Sequence, residues 1–409
     1  MKQTEVSLLL IASKAGYQTE AFAAAAARQG VKLDLATNRC HHLDDPWRDG
    51  ALAVDFDNPD IVKRDWGGIL AVGDQASVIA ATLAARFKLR YHPLQAVVAC
   101  RNKFELRQRF QQAGLLTPAY FRVPVAKDSA CKPTPAFPCV LKPLGLSASR
   151  GVIRANNAEE FAAAFARITR LLTKTPDLLR DPQSAYIQVE KFIPGREFAI
   201  EGIMTDGCLK VLTLFDKPDP LDGPFFEETI YATPSREPAE VQHAIHDAAQ
   251  RAVTALGLTD GPIHAECRVN DLGVWMLEVA ARPIGGLCAR VLRFTSGLGL
   301  EDVIIRHALG KAIDHETLAP GGAAVMMIPI PQAGIYQGVS GVEEASQAPG
   351  IESVDITAVP GQNLVPLPEG ASYLGFIFAR SSTAAEAERH VRTAHGMLTF
   401  QIQTALSVI

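Results

Sequence analysis

The sequence of 409 residues lacks the features of several specialised protein classes. Its seven cysteines are scattered without a CxxC pair, so neither a disulfide framework nor a structural zinc site is expected. No apolar run approaches the roughly 20 residues that a membrane-spanning helix needs. A net charge of −4 with mixed signs and no basic stripe argues against a nucleic-acid partner.

The beginning of the chain, MKQTEVSLLLIASKAG, lacks a basic segment ahead of a long apolar one, so no signal peptide is expected. Together with the unpatterned cysteines, this favours reduced thiols and a cytoplasmic location. The first strand-to-helix loop, SKAGYQT, also lacks the GxGxxG of dinucleotide-binding folds. Asp34, at the end of the second strand, is therefore interpreted as a surface or loop residue. The CHHLDD run from Cys40 to Asp45 is interpreted as a solvated loop.

What remains is the pattern of a mixed α/β protein. Strand-like and helix-like segments alternate over the first 90 or so residues, which predicts a parallel sheet with helices on both faces. Farther along, an amphipathic helix is predicted from Arg101 to Gly114, followed by strands and glycine-containing turns. Another helix is predicted from Pro238 to Leu256, with Pro238 in its first turn and Gly257 as its cap. From about Gly310 the chain becomes richer in Gly and Pro, where we place a smaller α/β domain.

Two carboxylates are predicted to face each other in a hairpin. The segment HAECRVNDLGVWMLEVAAR reads as two strands joined by NDLG, a three-residue loop with Gly273 in the left-handed region. That loop pairs Asn270 with Val274, and counting back places Glu266 opposite Glu278. Like charges at such a pair destabilise a sheet, whereas two carboxylates with water and phosphate are typical of Mg²⁺ sites. The alternative is a register slip that sends one glutamate to solvent.

Two further segments contain candidate nucleotide-binding residues. In VLKPLGLSASRGV, Lys142 ends a strand and a loop of small residues follows, in which backbone N–H groups can form an anion-binding concavity. This is not a Walker A loop, because GK[ST] is absent and a strand follows. In VEKFIPGREFAIEG, Glu190 and Glu197 stand at strand ends, where carboxylates can accept hydrogen bonds from adenine or ribose. A flexible turn and a surface hairpin are the respective alternatives.

The order of these elements along the chain, from about Arg101 to Gly310, resembles that of the ATP-grasp superfamily. GPIHAECRV, LEVAARPIGGLCARVLRF and the glycine-punctuated C-terminal region are similar to carboxylate–amine ligases related to L-amino acid ligases and carnosine synthase. The resemblance implies an α/β fold with a parallel α/β domain at residues 1–100 and a two-subdomain ATP-grasp domain at 101–312. The lid subdomain would span about 135–200, and a small α/β domain 313–409.

The resemblance also implies roles for individual residues. The ATP-binding set is Lys103, Lys142, Ser147, Ser149, Arg150, Gly151, Glu190, Lys191, Phe192, Ile193 and Glu197. Within this set the lysines would bind phosphates, Glu190 would face adenine and Glu197 would face the ribose. Glu266 and Glu278 would hold Mg²⁺ or Mn²⁺, and Arg282 would act catalytically beside the transferred phosphoryl group.

One position departs from the family pattern. The usual asparagine, two residues after the second metal-binding glutamate, is Ala280, which cannot coordinate and leaves the number of metal ions open. The acceptor site is predicted to involve Glu227 or Glu228 together with Arg282, Gly285 and Gly286. A surface acidic pair is the alternative reading of the two glutamates.

The resulting hypothesis is an ATP- and Mg²⁺-dependent ligase that joins a carboxylate, expected to be that of an amino acid, to an amine through an acyl phosphate. Its partners would be small molecules, with neither nucleic acid nor membrane, and a homodimer is the default assembly. Two alternatives remain. One is a carboxylase-type or purine-pathway enzyme that activates bicarbonate or formate, and the other is a non-catalytic ATP-binding module.

Overall fold

A computed structural model describes residues 6–13, 16–38, 51–62, 64–125 and 135–404, and for Asp177 the backbone alone. The Cys40–Asp45 run lies outside the described residues. The cysteines within the described ranges, Cys100, Cys139, Cys208, Cys267 and Cys288, are free thiols. None of the helices in these ranges has the length and apolar character needed to cross a bilayer.

The N-terminal region forms the predicted parallel sheet. Its strands are β1 (Ser7–Ala12), β2 (Lys32–Thr37), β3 (Ala51–Ala53) and β4 (Trp66–Val72), in the order β3-β2-β1-β4. Every pairing is parallel. Helices α1 (Tyr17–Arg28) and α2 (Asp74–Phe87) bury alanine-rich faces beside the sheet. A continuously apolar strand such as SLLLIA suits a sheet that is covered on both sides.

The interpretation of Asp34 as a surface or loop residue is wrong. Asp34 lies within β2, is 2% exposed, and accepts a hydrogen bond of 2.9 Å from the indole Nε1 of Trp66. Arg64 donates to the same carboxylate oxygen at 3.3 Å. A buried carboxylate needs such donors, and here they come from a segment 30 residues later, which local spacing does not reveal.

Two helices lead from this sheet to the next layer, α3 (Leu94–Cys100) and α4 (Lys103–Gln112). The predicted helix from Arg101 begins two residues later than expected, because Asn102 is its N-cap and accepts hydrogen bonds from the backbone N–H groups of Phe104 and Glu105. A four-stranded antiparallel sheet follows, with the order β5-β8-β6-β7. Its strands are β5 (Tyr120–Pro124), β6 (Cys139–Pro143), β7 (Ile153–Ala155) and β8 (Tyr186–Lys191). Helices α5 (Ala158–Lys174) and α6 (Pro176–Leu179) and a 3₁₀ turn (Pro182–Ala185) connect β7 to β8.

The largest sheet has eight strands in the order β13-β12-β9-β10-β11-β14-β18-β16. Five of them precede residue 312: β9 (Arg196–Thr205), β10 (Cys208–Lys217), β11 (Ile230–Thr233), β12 (Gly261–Asn270) and β13 (Gly273–Ala280). The other three come later: β14 (Gly322–Ile328), β16 (Ile351–Ile356) and β18 (Gly375–Ser381). One continuous sheet therefore crosses the boundary that the sequence places near residue 312.

Helices and a small sheet cover this layer. The helices are α7 (Ala239–Leu256), α8 (Leu300–Ala308), α9 (Val342–Ser346) and α10 (Ala384–His395), with a 3₁₀ turn at Cys288–Val291. The small sheet is formed by β15 (Gly334–Ser340), β17 (Asn363–Leu364) and β19 (Thr399–Gln403). Pro238 is the N-cap of α7 rather than part of its first turn. Gly257 caps the helix in the left-handed region, as predicted.

Candidate active site

A cavity of about 590 Å³ lies where the N-terminal sheet, the four-stranded sheet and the eight-stranded sheet meet. Its lining includes most of the predicted site residues. These are Lys103, Lys142, Ser147, Ser149, Glu190, Lys191, Phe192, Ile193, Glu197, Glu228, Glu266, Glu278, Arg282, Gly285 and Gly286. Because these residues span more than 180 positions of sequence, the fold, rather than local spacing, brings them together.

The hairpin of β12 and β13 pairs Glu266 with Glu278, as predicted, but by a different route. The turn pairs Asn270 with Gly273, so it is one residue tighter than expected, and Gly273 has a φ of 122°. A bulge between Cys267 and Glu266 then shifts the register by one residue and restores the pairing of the glutamates. The predicted pairing of Asn270 with Val274 is wrong.

One end of the cavity contains a buried ion-pair network. Lys142 Nζ lies 2.8 Å from Glu190 Oε2, and Arg107 Nε lies 2.8 Å from Glu190 Oε1. Burial opposes the charge of Glu190, but Arg107 and Lys142 hold the pKa of this carboxyl well below its ordinary value. Arg107 is 1% exposed and also donates to the carbonyl of Met276 at 2.9 Å. The sequence could have indicated Arg107, because it lies one helical turn after Lys103 on α4.

The small-residue loop lines the cavity through Leu146, Ser147, Ala148 and Ser149. Ala148 and Ser149 have φ values of 54° and 52°, and Gly151 has a φ of 73°. A side chain at Gly151 would strike Pro143, since a Cβ there would lie 2.6 Å from Pro143 Cγ. Lys103 Nζ donates to the carbonyl of Leu146 at 2.6 Å, so the lysine touches the loop directly. In a tight turn of this kind, successive backbone N–H groups can form an anion-binding concavity.

A contact that we name the loop latch fastens this region to residues 368–369. The N–H of Gly151 donates to the carbonyl of Pro368 at 2.8 Å, and Arg150 Nε donates to the carbonyl of Glu369 at 2.8 Å. The Glu369 carboxylate accepts from both Arg167 Nε and Arg167 Nη2, at 2.5 and 2.8 Å. Arg150, predicted to bind ATP, is therefore engaged with the C-terminal region.

The segment predicted to face adenine and ribose is held by protein contacts. The N–H groups of Lys191 and Phe192 donate to the carbonyls of Ala119 and Pro138. Arg268 Nη1 donates to the carbonyl of Ile193 at 2.7 Å. Glu197 is 9% exposed and accepts from Arg268 Nε at 2.8 Å. These contacts fix the position of the segment along the cavity wall.

An acidic cluster of three carboxylates that line the cavity surrounds Lys217. Oxygens of Glu197, Glu228 and Glu266 lie within 4.8 Å of one another. Lys217 Nζ approaches them at 2.9, 2.5 and 3.0 Å, respectively, and is nearly inaccessible to solvent. Burial opposes the lysine charge, yet these three carboxylates hold the pKa of Lys217 well above its ordinary value. Lys217 is the last residue of β10 and no local motif accompanies it, so the sequence contained no signal for its position.

The two members of the cluster nearest the β12–β13 hairpin differ in charge. Burial raises the pKa of Glu228 to about 7, with a further contribution from the neighbouring Glu266. Burial acts in the same direction on Glu266, but Lys217 and His264 outweigh it and lower the pKa of Glu266 well below its ordinary value. Glu227, the other acceptor candidate, is not among the described residues that line the cavity, and it accepts from the backbone of Ile330.

The donor set of this region fits a divalent cation. Glu266 belongs to the acidic cluster and is paired with Glu278 across the hairpin, and both carboxylates line the cavity. Glu278 Oε2 lies 3.3 Å from Lys103 Nζ and its side chain is 26% exposed, so it faces the side of the small-residue loop. Carboxylate oxygens with room for water and phosphate are the environment that Mg²⁺ prefers.

Arg282 lies just beyond the end of β13 and is held by an aspartate from the N-terminal region. Its Nε donates to Asp74 Oδ1 at 2.6 Å, and Asp74 is the first residue of α2. Burial opposes the charge of Arg282, but Asp74 keeps the pKa of this guanidinium above its ordinary value. The partner of Arg282 lies 208 residues away, which is why sequence reasoning missed Asp74.

The turn after Arg282 is fixed by a buried glutamate. Both carboxylate oxygens of Glu201 accept from the backbone N–H of Ile284 at 3.1 Å, and His264 Nδ1 lies 3.1 Å from Glu201 Oε2. Burial disfavours a charged His264, but its hydrogen bonds to Glu201 and Glu266 raise its pKa to about 9. Gly286 follows with a φ of 63°, and a Cβ there would lie 3.3 Å from the ring of Phe376.

Comparison with known proteins agrees with this arrangement. Residues 135–291 match the ATP-grasp domain, and residues 326–403 match the L-amino acid ligase C-terminal domain 2. The fold superposes on the crystal structure of L-amino acid ligase from Bacillus licheniformis with a TM-score of 0.83 at 24% identity, covering 98% of this chain and 100% of that one.

Two sequence relatives extend the comparison. An uncharacterized protein of Sinorhizobium fredii is 24% identical over 332 residues, which are 81% of this chain and 67% of that protein. Alanine–anticapsin ligase of Bacillus subtilis is 29% identical over 214 residues, 49% of this chain and 45% of the ligase. The match therefore spans about half the length of that ligase.

Proposed function

We propose that this chain, of which residues 135–291 match the ATP-grasp domain, is an ATP-dependent carbon–nitrogen ligase that joins the carboxylate of an amino acid to an amine. A donor carboxylate oxygen attacks the γ-phosphorus of ATP, the bond to the β-phosphate oxygen breaks, and ADP leaves. The amine nitrogen then attacks the acyl carbon, the bond to the phosphate oxygen breaks, and the amine loses a proton. The observation that carries the proposal is the single cavity that joins Lys142 and the small-residue loop to Arg282.

The charged residues of the cavity suit these two steps. Each step builds negative charge on phosphate or acyl oxygens, which fixed cations stabilise without a protein nucleophile. Lys103 and Lys142 are positioned for the phosphates beside the loop. Arg282, oriented by Asp74, supplies a guanidinium that stays charged, beside the transferred phosphoryl group.

Glu266 and Glu278 are the residues that we propose to hold Mg²⁺. When bound, the ion would neutralise phosphate oxygens and so help an anionic carboxylate to approach ATP. Glu228 borders the same site through Lys217, whereas Ala280 offers no ligand. Glu190 and Glu197 retain their proposed roles at adenine and ribose.

The decisive experiment measures phosphate release with ATP, Mg²⁺ and pools of amino acids, followed by mass spectrometry of the products. We expect release only with acceptable substrates, and a product whose mass is that of two substrates less one water. Glu278→Gln should lower the rate by about 100-fold or more, the scale of losing one preorganised electrostatic contact. Asp271→Asn, on the exposed turn of the same hairpin, is the matched control and should retain the rate.

Three outcomes would contradict the proposal. The first is the absence of stimulated ADP formation across broad pools. The second is ATP turnover that depends on bicarbonate without added amino acid, which would indicate a carboxylase-type enzyme. The third is ATP binding without turnover that is unaffected by Glu278→Gln, which would indicate a nucleotide-binding module.

A further inference from the structure

The end of the cavity away from the small-residue loop has a different character. It is lined by side chains from four separate parts of the chain: Tyr17 at the start of α1, Ile284 after Arg282, Met327 on β14, and Tyr373 and Phe376 just before and near the start of β18. None of these side chains carries a charge at neutral pH. Ligand sites are commonly apolar surfaces with a few placed polar groups, and this end has that composition.

Three aromatic rings form the core of this surface, which we name the aromatic wall: Tyr17, Tyr373 and Phe376. Phe376 contacts both of the other rings, with its ring centroid 6.3 Å from that of Tyr17 and 6.2 Å from that of Tyr373. Its ring is 3% exposed, whereas Tyr17 is 44% exposed although it lies on the concave side. Rings at such distances support one another's orientation, so the wall is a fixed surface with an uncovered face.

Neighbouring contacts fix the position of the aromatic wall relative to Arg282. Gln18, next to Tyr17, donates from Nε2 to the carbonyl of Ile284 at 2.9 Å. Gly286 packs against the ring of Phe376, where there is no room for a side chain without displacement. The Arg282–Gly286 turn thus connects the proposed catalytic guanidinium to the wall over a few residues.

A carboxylate lies beside the wall. Glu228 lines the same cavity, and after burial it is the largest influence that raises the pKa of the Tyr373 hydroxyl. Glu228 thus lines the cavity together with Tyr373 and is hydrogen-bonded to Lys217. An α-amino acid presents an ammonium group next to its side chain, so a carboxylate beside an apolar surface matches both parts of such a molecule.

We propose that the aromatic wall receives the side chain of the acyl donor and selects α-amino acids with large apolar or aromatic side chains. The inference rests on the proposed function, because that reaction fixes which way the donor lies. The donor carboxylate attacks the γ-phosphorus from the side opposite the departing ADP, so the body of the donor extends away from the nucleotide. In this cavity that direction leads past Arg282 to the wall.

The test uses hydroxylamine as the amine, because it traps an acyl phosphate as a hydroxamate and so reports the donor alone. For each donor, kcat/KM is measured with ATP and Mg²⁺ on the full chain. Phenylalanine, leucine and methionine should exceed glycine and alanine by at least about 10-fold, since even one methylene in an apolar pocket can contribute roughly 10-fold. The difference should lie mainly in KM.

Substitutions in the wall should change this ranking. Tyr17→Ala and Tyr373→Ala should each reduce the ratio of phenylalanine to alanine by about 10-fold, whereas Tyr17→Phe and Tyr373→Phe should keep it. Leu179→Ala, an exposed leucine on α6, is the matched control and should leave the ratio unchanged. Ala371 lines the cavity and is exposed, so Ala371→Trp should fill space and penalise phenylalanine more than alanine.

The outcomes separate this inference from the function on which it rests. If no amino acid yields hydroxamate or ADP, the proposed function fails. If glycine and alanine are used as well as phenylalanine and leucine, the ligase proposal stands and the aromatic wall does not select the donor. The same conclusion follows if Tyr17→Ala keeps the parental ratio of kcat/KM for phenylalanine to that for alanine. Circular dichroism that matches the parent establishes that this variant is folded.

Discussion

The two ends of the cavity differ in the charge of the side chains that line them. At the end proposed to bind the nucleotide, Glu190 forms buried ion pairs with both Lys142 and Arg107. At the other end, the aromatic wall is uncharged, and one of its rings is nearly half exposed. The first arrangement is rigid and demanding in geometry, because a buried charge without its partner costs several kcal/mol. The second tolerates changes of size and shape.

The difference indicates how the work of the site is divided. ATP is the same molecule in every turnover, so a fixed set of charges suits it. The donor is where related enzymes can differ, and an apolar wall is altered by exchanging single side chains without unbalancing any charge. The acidic cluster around Lys217 lines the same cavity through its carboxylates, and its members differ: the pKa of Glu266 is held well below its ordinary value, whereas that of Glu228 is raised to about 7.

The largest expected effect comes from removing the nucleotide-side lysine. Lys142→Met should lower kcat/KM for ATP by about 100-fold, because Lys142 is placed for phosphate charge and Glu190 keeps Arg107 as its partner. Steady-state kinetics with ATP varied, and then with the donor varied, measures the two ends separately. We expect the donor KM to change little. Lys174→Met, at the exposed end of α5, is the control.

If Lys142→Met raised the KM for ATP and the KM for the donor by the same factor, the two ends of the cavity would not function separately. The contrast drawn between them would then be wrong.

An intermediate effect is expected from pH. Burial raises the pKa of Glu228 to about 7, so this carboxyl is mostly protonated at pH 6 and mostly ionised at pH 8. The ionised fraction rises about tenfold over that range, and the KM of an ammonium-bearing donor should fall correspondingly. Glu190 has its pKa lowered, so it stays ionised throughout and the KM for ATP should vary less. Initial rates at fixed ionic strength between pH 6 and 8 measure both constants.

Glu228→Gln is the matched variant for the pH experiment, since its amide does not titrate. It should remove the dependence of the donor KM while leaving that of ATP as it was. A donor KM that still changes tenfold in this variant would assign the titration to another group.

The smallest effect is expected from the loop latch. Arg167 and Glu369 are 42% and 37% exposed, and ion pairs of this kind contribute about 0.2–1 kcal/mol. Glu369→Gln should therefore raise the KM for ATP by at most about fivefold, with little change in donor selectivity. Titration of ATP binding by calorimetry measures the change directly. Glu344→Gln, on the exposed face of α9, is the control. An equal change in ATP affinity in this variant would show that the loop latch does not cause the effect.

The sequence was informative where function follows from neighbours along the chain. Lys142 with its small-residue loop, and the Glu266–Glu278 pair, depend on a strand, a turn and the alternation of side chains. The hairpin also shows the limit of such counting. The turn was assigned one residue too long, and the bulge beside Glu266 compensated for it. The glutamates were paired correctly although the loop was not.

What the sequence could not reveal depends on how separate layers come together. Asp74 meets Arg282 across 208 positions, and Lys217 enters the acidic cluster only because β10 lies in the same sheet as β12. The aromatic wall joins α1 to β18, which no local pattern connects. The prediction that Asp34 is a surface or loop residue is wrong for the same reason, since the indole of Trp66 that binds it lies on another strand.

The continuity of the eight-stranded sheet matters for anyone who wishes to divide or recombine this protein. Strand β14 is hydrogen-bonded to β11 along four residue pairs, so cutting the chain before it would leave β11 as a bare edge. An ATP-grasp fragment is therefore a poor starting point for engineering. Exchanging the few residues around Tyr373 and Phe376 within the intact chain alters the substrate-facing surface and leaves the strand pairing in place.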